Sequence, residues 1–413
     1  MSSPTILLGA ALVAYHTPSV HLPRREALQT AAAAAALALP LAPPPTWAAD
    51  IPALRAAWTA TDGFNDTNFI AFDEGAYAAM RDDERRTPLF EKAIHQRLAA
   101  APPNTLTVLD IGTGPYALLA LAAAKAGAKK VYTVETSKEA AKRAREVLRK
   151  AGISSDVVEV IEGFSTAISL PEKIDVLVAE IAGSVASEEG AYATIRDAQA
   201  RFMRNPSDPA SYIPFACQTY AAPASYALHY ALGPPQFDWG KLKEPVRLNC
   251  RDESLQLLAA PQLLEQIVFS DPALPASGSY KYPPLTWAVD ADRVARNEKV
   301  YYEELLKEGA KGAEATSVSS KVSRSFSGIA LWPRLVLDPA GTLIVESRGA
   351  LGEHQKSHWQ TVLPLMAGRP AAVAPSQTIR VAYEVDLRDG KPNTPLKYAL
   401  NAELGAAVAA QPA

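Results

Sequence analysis

From Thr105 onward, apolar strand-like runs alternate with helix-like ones, and that alternation leaves few folds open. Thr105 to Ile111 reads as a strand and Leu118 to Ala126 as a helix. Lys130 to Glu135 is a second strand, and Lys138 to Lys150 a helix rich in Ala, Arg, Lys and Glu. Val157 to Ile161 and Ile174 to Glu180 read as two further strands. Strands joined through helices run parallel and are covered on both faces. The pattern predicts an α/β fold with a Rossmann-like doubly wound sheet over residues 101–205, whose binding edge lies at the carboxyl ends of its strands. Past Pro214 the period falls to two. Ile379, Val381, Tyr383, Val385 and Leu387 alternate with other residues, Asp389-Gly390-Lys391 turns the chain, and Leu396, Tyr398, Leu400 and Leu404 share one parity of the return. This predicts an antiparallel β-barrel or sheet over 210–413. The stretch 272–325, rich in Pro, Gly, Ser and Ala around a charged helical piece near Glu298 to Lys311, reads as a surface insertion.

Composition removes several alternatives. With 41 Lys+Arg against 44 Asp+Glu the net charge of the 413-residue chain is -3, which excludes a polybasic nucleic-acid clamp, so no direct nucleic-acid partner is expected. Hydrophobic residues at 48% suffice for two or three cores. Cys217 and Cys250 cannot build a disulfide framework or a four-ligand zinc site, and no metal is expected. No run of about eighteen apolar residues follows residue 50, so no membrane association is expected of the mature part. Residues 1–49 differ from the rest: Arg24-Arg25 precedes the apolar stretch Leu28 to Leu41, and Thr46-Trp47-Ala48-Ala49 follows. They read either as a twin-arginine-like address for a plastid compartment, the thylakoid lumen included, or for export, or as an alanine-rich tail without targeting meaning. An earlier apolar run, Ile6 to Ala14, suits a two-part address.

Chemistry begins at the turn Asp110-Ile111-Gly112-Thr113-Gly114-Pro115-Tyr116, between a strand and a helix. Gly112 and Gly114 let a ligand approach the backbone, and the helix start offers free N–H groups. A dinucleotide fingerprint would need glycine at position 117, where Ala117 stands, so nicotinamide binding is the weaker reading. Glu135 ends the next strand, where a carboxylate can take both hydroxyls of a ribose. The set implies an adenosyl ligand; the alternative is a packing turn with solvated acids.

The turn, with an Asp before its glycines and an acid closing the next strand, resembles that of S-adenosylmethionine-dependent methyltransferases. Four further segments resemble protein arginine N-methyltransferases. Glu180 to Glu189, spaced ExxGxxxxxE, is similar to that family's double-glutamate hairpin, and Tyr77 to Arg86 to the helix covering its cofactor. Ser357-His358-Trp359 resembles its Thr-His-Trp loop, and the two-period C-terminal half its barrel. The resemblance spans about residues 65–404, makes 50–100 a helical cap, and implies S-adenosyl-L-methionine as cofactor, arginine in a protein or peptide as acceptor, and a homodimer. Family members act in cytoplasm or nucleus, the alternative to the address read at the N-terminus.

Arginine needs such a site because its guanidinium stays protonated and its nitrogen is a poor nucleophile. Glu180 and Glu189 could each accept N–H donors and fix its plane. Locally, Glu188-Glu189 is also an ordinary acidic turn, and the choice of Glu189 follows the family spacing. The resemblance pairs His358 with Asp83, as proton acceptor or as a clasp between barrel and cap. It pairs Arg86 with the cofactor's carboxylate, against a plain helix-surface charge, and sets Met80 at the transfer space, against packing. Ser165 or Thr166 could bond the adenine edge, although the acid many members carry there is missing. Tyr116 replaces the family's third glycine and lies over the cofactor or narrows its entrance. Two other readings stand beside arginine methylation: a small-molecule N- or O-methyltransferase, and a degenerate, non-catalytic binding protein.

Overall fold

The computed structural model describes residues 54–60, 74–233 and 237–406. The expected address at 1–49 lies outside the described residues. The first described element is a strand, β1 (Leu54–Thr59), and the next two are helices, α1 (Glu74–Arg81) and α2 (Thr87–Ala99). The α/β unit follows as β2 (Thr107–Ile111), α3 (Leu118–Lys125), β3 (Lys130–Glu135), α4 (Lys138–Lys150), β4 (Val158–Glu162), β5 (Val176–Ala179), α5 (Ala191–Arg201) and β6 (Tyr212–Ile213). Its strands pair in the order β4-β3-β2-β5-β6, all parallel. β2 and β5 are buried along their whole length, as strands with helices on both faces must be. In α4, Ala140, Ala141, Ala144 and Leu148 form the buried stripe, and the Ser137 side chain accepts the Ala140 N–H at its start.

Antiparallel strands fill the second half. One sheet is built on β7 (Ala216–Tyr226), flanked by Gln262–Val268 and Gly328–Val336, and extended by Gln360–Leu363 and Val246–Asn249. The other is built on the hairpin Thr378–Asp386 with Lys397–Leu404. Ile379, Val381, Tyr383 and Val385 are buried on one parity and Tyr398 and Leu400 on the return, as the sequence period requires.

Three expectations are corrected. Residues 54–59, assigned to a helical cap, are a barrel strand: Leu54 to Thr59 pair antiparallel with Ala402 to Lys397. The alternating burial of LRAAWT, with Leu54 and Trp58 inward, fits an edge strand rather than a helix. Second, Asp83 and Arg86 lie not on the cap helix but in the turn after it, where Asp83 Oδ1 accepts the N–H groups of Arg85 and Arg86 and Pro88 opens α2. Third, the insertion is more than a surface excursion. Its two helices, Ala291–Lys307 and Gly312–Ser323, bury Tyr301, Leu305, Val318 and Val322 together with Ala227 of the barrel.

Candidate active site

The parallel sheet aims its carboxyl ends at one edge, and the predicted residues gather there. After β2, Gly112 (φ +87°) and Gly114 (φ +61°) hold left-handed backbone that a side chain would strain. A Cβ on Gly114 would also meet the Tyr77 ring at 3.5 Å, so the cap helix rests on the turn. Ala117 (φ 47°, ψ 38°) adopts the same left-handed geometry at the start of α3, taking with alanine the conformation that a fingerprint glycine would supply. Glu135 ends β3 and accepts the N–H of Gly114 (2.8 Å) and of Ser137 (2.8 Å), which sets its carboxylate across the glycine turn.

Asp110 is 1% exposed. Its Oδ2 accepts the Thr133 hydroxyl at 2.7 Å, while its Oδ1 is buried without a partner. Burial pushes the carboxyl up to about 7 against the Thr133 bond, with Glu135 and Glu180 adding repulsion and Arg86 relieving it. A buried orphan acceptor costs about 1–3 kcal/mol, and a ligand donor would remove that penalty. Ser165 is buried in the turn after β4, with its carbonyl accepting from Arg201, and Thr166 beside it is half-buried. Tyr116 lies under Arg81, whose guanidinium carbon is 4.9 Å from the ring centroid, and Met80 is half-buried on α1.

Glu180, just past β5, is bound to Arg86: Nε donates to Oε2 at 3.0 Å and Nη2 donates to the same oxygen. Their side chains are 7% and 6% exposed. Among the described residues, the other oxygen, Oε1, receives only the Ala182 N–H at 3.4 Å. Arg86 thus orients one edge of Glu180 and leaves the second edge open to a further guanidinium. The loop from Glu180 to Gly190 then turns back. Glu189 is half-buried on it, and Glu180 and Glu189 both act on the thiol of buried Cys217, which burial and these acids push up. Neighbouring Glu188 is committed elsewhere, to Arg247 at 2.8 Å and the Val185 N–H at 3.0 Å. At the loop's end Gly190 (φ +77°) packs so tightly that a Cβ would lie 2.5 Å from the Pro392 carbonyl oxygen of the barrel.

The barrel loop around His358 joins the parts. Asp83 Oδ2 accepts from the His358 backbone N–H (3.0 Å) and its Nδ1 (2.8 Å), and Trp359 Nε1 donates to the Ala182 carbonyl at 2.7 Å. The Gln360 N–H donates to Ser184 Oγ at 3.1 Å, so three consecutive residues tie cap turn and glutamate loop together. Burial opposes ionisation of Asp83, yet the His358 bonds hold it down at about 2. Burial also lowers His358 in spite of Asp83, with Arg86 acting in the same direction. The arrangement is therefore an ionised carboxylate on a neutral imidazole, with Nδ1–H toward Asp83 and the Nε2 lone pair available. The bonds made by Trp359 and Ser184 had no signal in the sequence beyond the loop motif. Glu265, a fully buried acid beneath the glutamate loop, had none either: a bulge between Leu263 and Glu265 shifts the register, so strand parity misplaces it.

A parallel sheet with this turn and acid pair, packed on an antiparallel barrel, defines a methyltransferase-type fold with a β-barrel domain. In sequence and fold the chain is similar to protein arginine N-methyltransferases. The family description "Ribosomal protein L11 methyltransferase (PrmA)" matches residues 92–188. Protein arginine N-methyltransferase PRMT10 of Arabidopsis thaliana is 44% identical over 98 residues, 24% of this chain and 25% of that protein. The arginine N(omega)-methyltransferase of Streptomyces achromogenes subsp. streptozoticus is 39% identical over 132 residues, 31% and 35%. The chain thus spans about a quarter to a third of the length of these two relatives. Among solved structures, the Trypanosoma brucei PRMT1 enzyme-prozyme heterotetrameric complex with AdoHcy aligns with a TM-score of 0.61 at 19% identity, covering 83% of this chain and 96% of that one. Arabidopsis thaliana protein arginine methyltransferase 10 aligns at 0.58 and 17%, covering 81% and 94%. These two establish the fold.

Proposed function

We propose that this protein transfers a methyl group from S-adenosylmethionine to a guanidinium nitrogen of arginine in a protein or peptide. The observation that carries the reading is Glu180, a buried carboxylate at the binding edge of the sheet that already holds one guanidinium, that of Arg86, and keeps a second edge open. Bound S-adenosylmethionine supplies an electrophilic sulfonium methyl. Asp110, Gly112, Gly114 and Glu135 fit it, offering an orphan acceptor, two side-chain-free approaches and a carboxylate; Tyr116, Met80, Ser165 and Thr166 border the same edge in this reading. Glu180 and Glu189 fix the plane of the acceptor guanidinium, so that catalysis is mainly positioning. The methyl would leave sulfur as the carbon–sulfur bond breaks, releasing a neutral thioether, and the proton that the guanidinium nitrogen must give up would find a neutral acceptor in His358 Nε2. Replacing Glu180 by Gln is expected to lower methyl transfer to arginine peptides at least ~100-fold while cofactor binding by calorimetry changes little. Unchanged turnover would sink the reading.

The named activity of the Streptomyces relative favours a second reading, in which arginine itself or another small amine is the acceptor. Mass spectrometry of arginine peptides and free arginine incubated with purified protein and labelled cofactor separates the two. Calorimetry with the cofactor tests the third, a degenerate binding protein. A homodimer and a plastid destination belong to the same proposal, supported by the family resemblance and by the twin-arginine pattern at Arg24-Arg25. Light scattering and a fluorescent fusion of residues 1–49 test them.

A further inference from the structure

We propose that Glu265, on the barrel, is a positioning residue for the glutamate loop, bracing Ala186 and Ser187 so that Glu189 keeps the place substrate binding requires; this rests on the methyl-transfer reading above. Glu265 is completely buried and, among the described residues, makes no ion pair. Such a carboxyl is costly unless its hydrogen bonds are put to use. It accepts three hydroxyl donors, from Thr219 (2.8 Å), Ser187 (3.1 Å) and Tyr192 (3.2 Å). Two of these reach the loop. Thr219 Oγ gives its proton to Glu265 and takes the Ala186 N–H at 3.0 Å. Ser187, which is on the loop, gives its proton to Glu265 and lies 3.0 Å from the Tyr398 hydroxyl. Two consecutive residues before Glu188, Ala186 by its backbone and Ser187 by its side chain, are thereby pinned to the barrel, and Tyr192 pins the first turn of α5 on the loop's far side.

The protonation state decides how well this works. An ionised carboxylate only accepts, and it meets three donors. A protonated one carries a hydrogen of its own, so one of the three hydroxyls must turn away. The groups facing it are Glu188 with its partner Arg247, the Cys217 thiol, and the hydroxyls of Tyr192, Tyr282, Tyr383 and Tyr398. Tyr192 also touches the Tyr282 hydroxyl. Burial pushes Glu265 up to about 7 against its three hydrogen bonds, and Glu188 adds to the rise. Bracing is therefore complete above neutral pH and weakens below it. Stability has the opposite sign: a carboxyl raised from 4.5 binds its proton more tightly in the fold, so its contribution is lost as pH rises from about 4.5 to 7.

The experiment compares the full chain with Glu265→Gln and Ser187→Ala. In the wild type, kcat/KM for an arginine peptide should rise about fivefold between pH 6 and pH 8, following one ionisation near 7. Glu265→Gln should lose that rise and fall about tenfold at pH 8, mainly through peptide KM, with cofactor affinity unchanged. Ser187→Ala, which leaves the barrel carboxyl in place, should show the same KM-weighted loss. Independently of activity, hydrogen exchange of the Val185 and Ala186 amides, corrected for intrinsic rates, should slow through pH 7 in the wild type and stay flat in Glu265→Gln. A wild type inactive on arginine peptides overturns the methyl-transfer reading and leaves the exchange result to decide the brace. Equal protection and equal pH profiles in wild type and Glu265→Gln overturn the proposal itself.

Discussion

Ala117 shows how a single position can be read correctly and still surprise. The sequence lacks the third glycine of a dinucleotide fingerprint there, yet the backbone adopts the left-handed geometry at φ 47°. Left-handed backbone costs a non-glycine residue roughly 1–2 kcal/mol, whereas glycine costs ~0.5–1 kcal/mol in unfolded-state entropy. Ala117 is also fully buried, and its methyl is worth about 0.8 kcal/mol, so Ala117→Gly should change stability by less than ~0.5 kcal/mol, measured as a near-constant denaturant midpoint at constant slope. His358 makes a pH prediction. Because burial lowers it below 6.5, it is neutral at pH 7, and activity that depends on it should decline only below about pH 6.5. The fold loses stability over the same interval, since the unfolded chain takes up the proton first. In Glu265→Gln this lower limb should remain. Asp83, Glu180 and His358 were legible because chain spacing fixes them in recognisable motifs. The Arg86–Glu180 pair was not, since the contact joins residues brought together only by the closed turn after α1.

At the level of elements, β3 and α4 begin and end where periodicity placed them, with caps and buried stripe agreeing. β1 was not legible. Six residues with two inward apolar side chains carry too little pattern to announce a strand, and its partner lies far along the chain, at Lys397–Leu404. Trp58 is 5% exposed and stacks on Tyr398 with ring centroids 5.0 Å apart. Replacing Trp58 by Ala should cost about 3–5 kcal/mol, read as a lowered thermal midpoint. The element that positions Glu180 makes a second prediction. Arg86→Lys keeps the charge but loses the planar fork, and should lower kcat/KM about tenfold or more, although a charge is still present beside Glu180.

Across the whole molecule, one continuous apolar cluster runs from Leu109 and Leu177 of the parallel sheet to Ile329, Tyr383 and Tyr398 of the barrel. The two halves, distinct in sequence period, share a core. Unfolding should then be seen as a single transition by both far-ultraviolet circular dichroism and tryptophan fluorescence, and two separated midpoints would contradict the shared core. The pairing of β1 with Lys397–Leu404 adds a matter of timing. On a ribosome adding ~5–20 residues each second, the first strand among the described residues emerges and waits tens of seconds for its complement. The parallel sheet can assemble meanwhile, and the seam between Leu54–Thr59 and Lys397–Leu404 closes late.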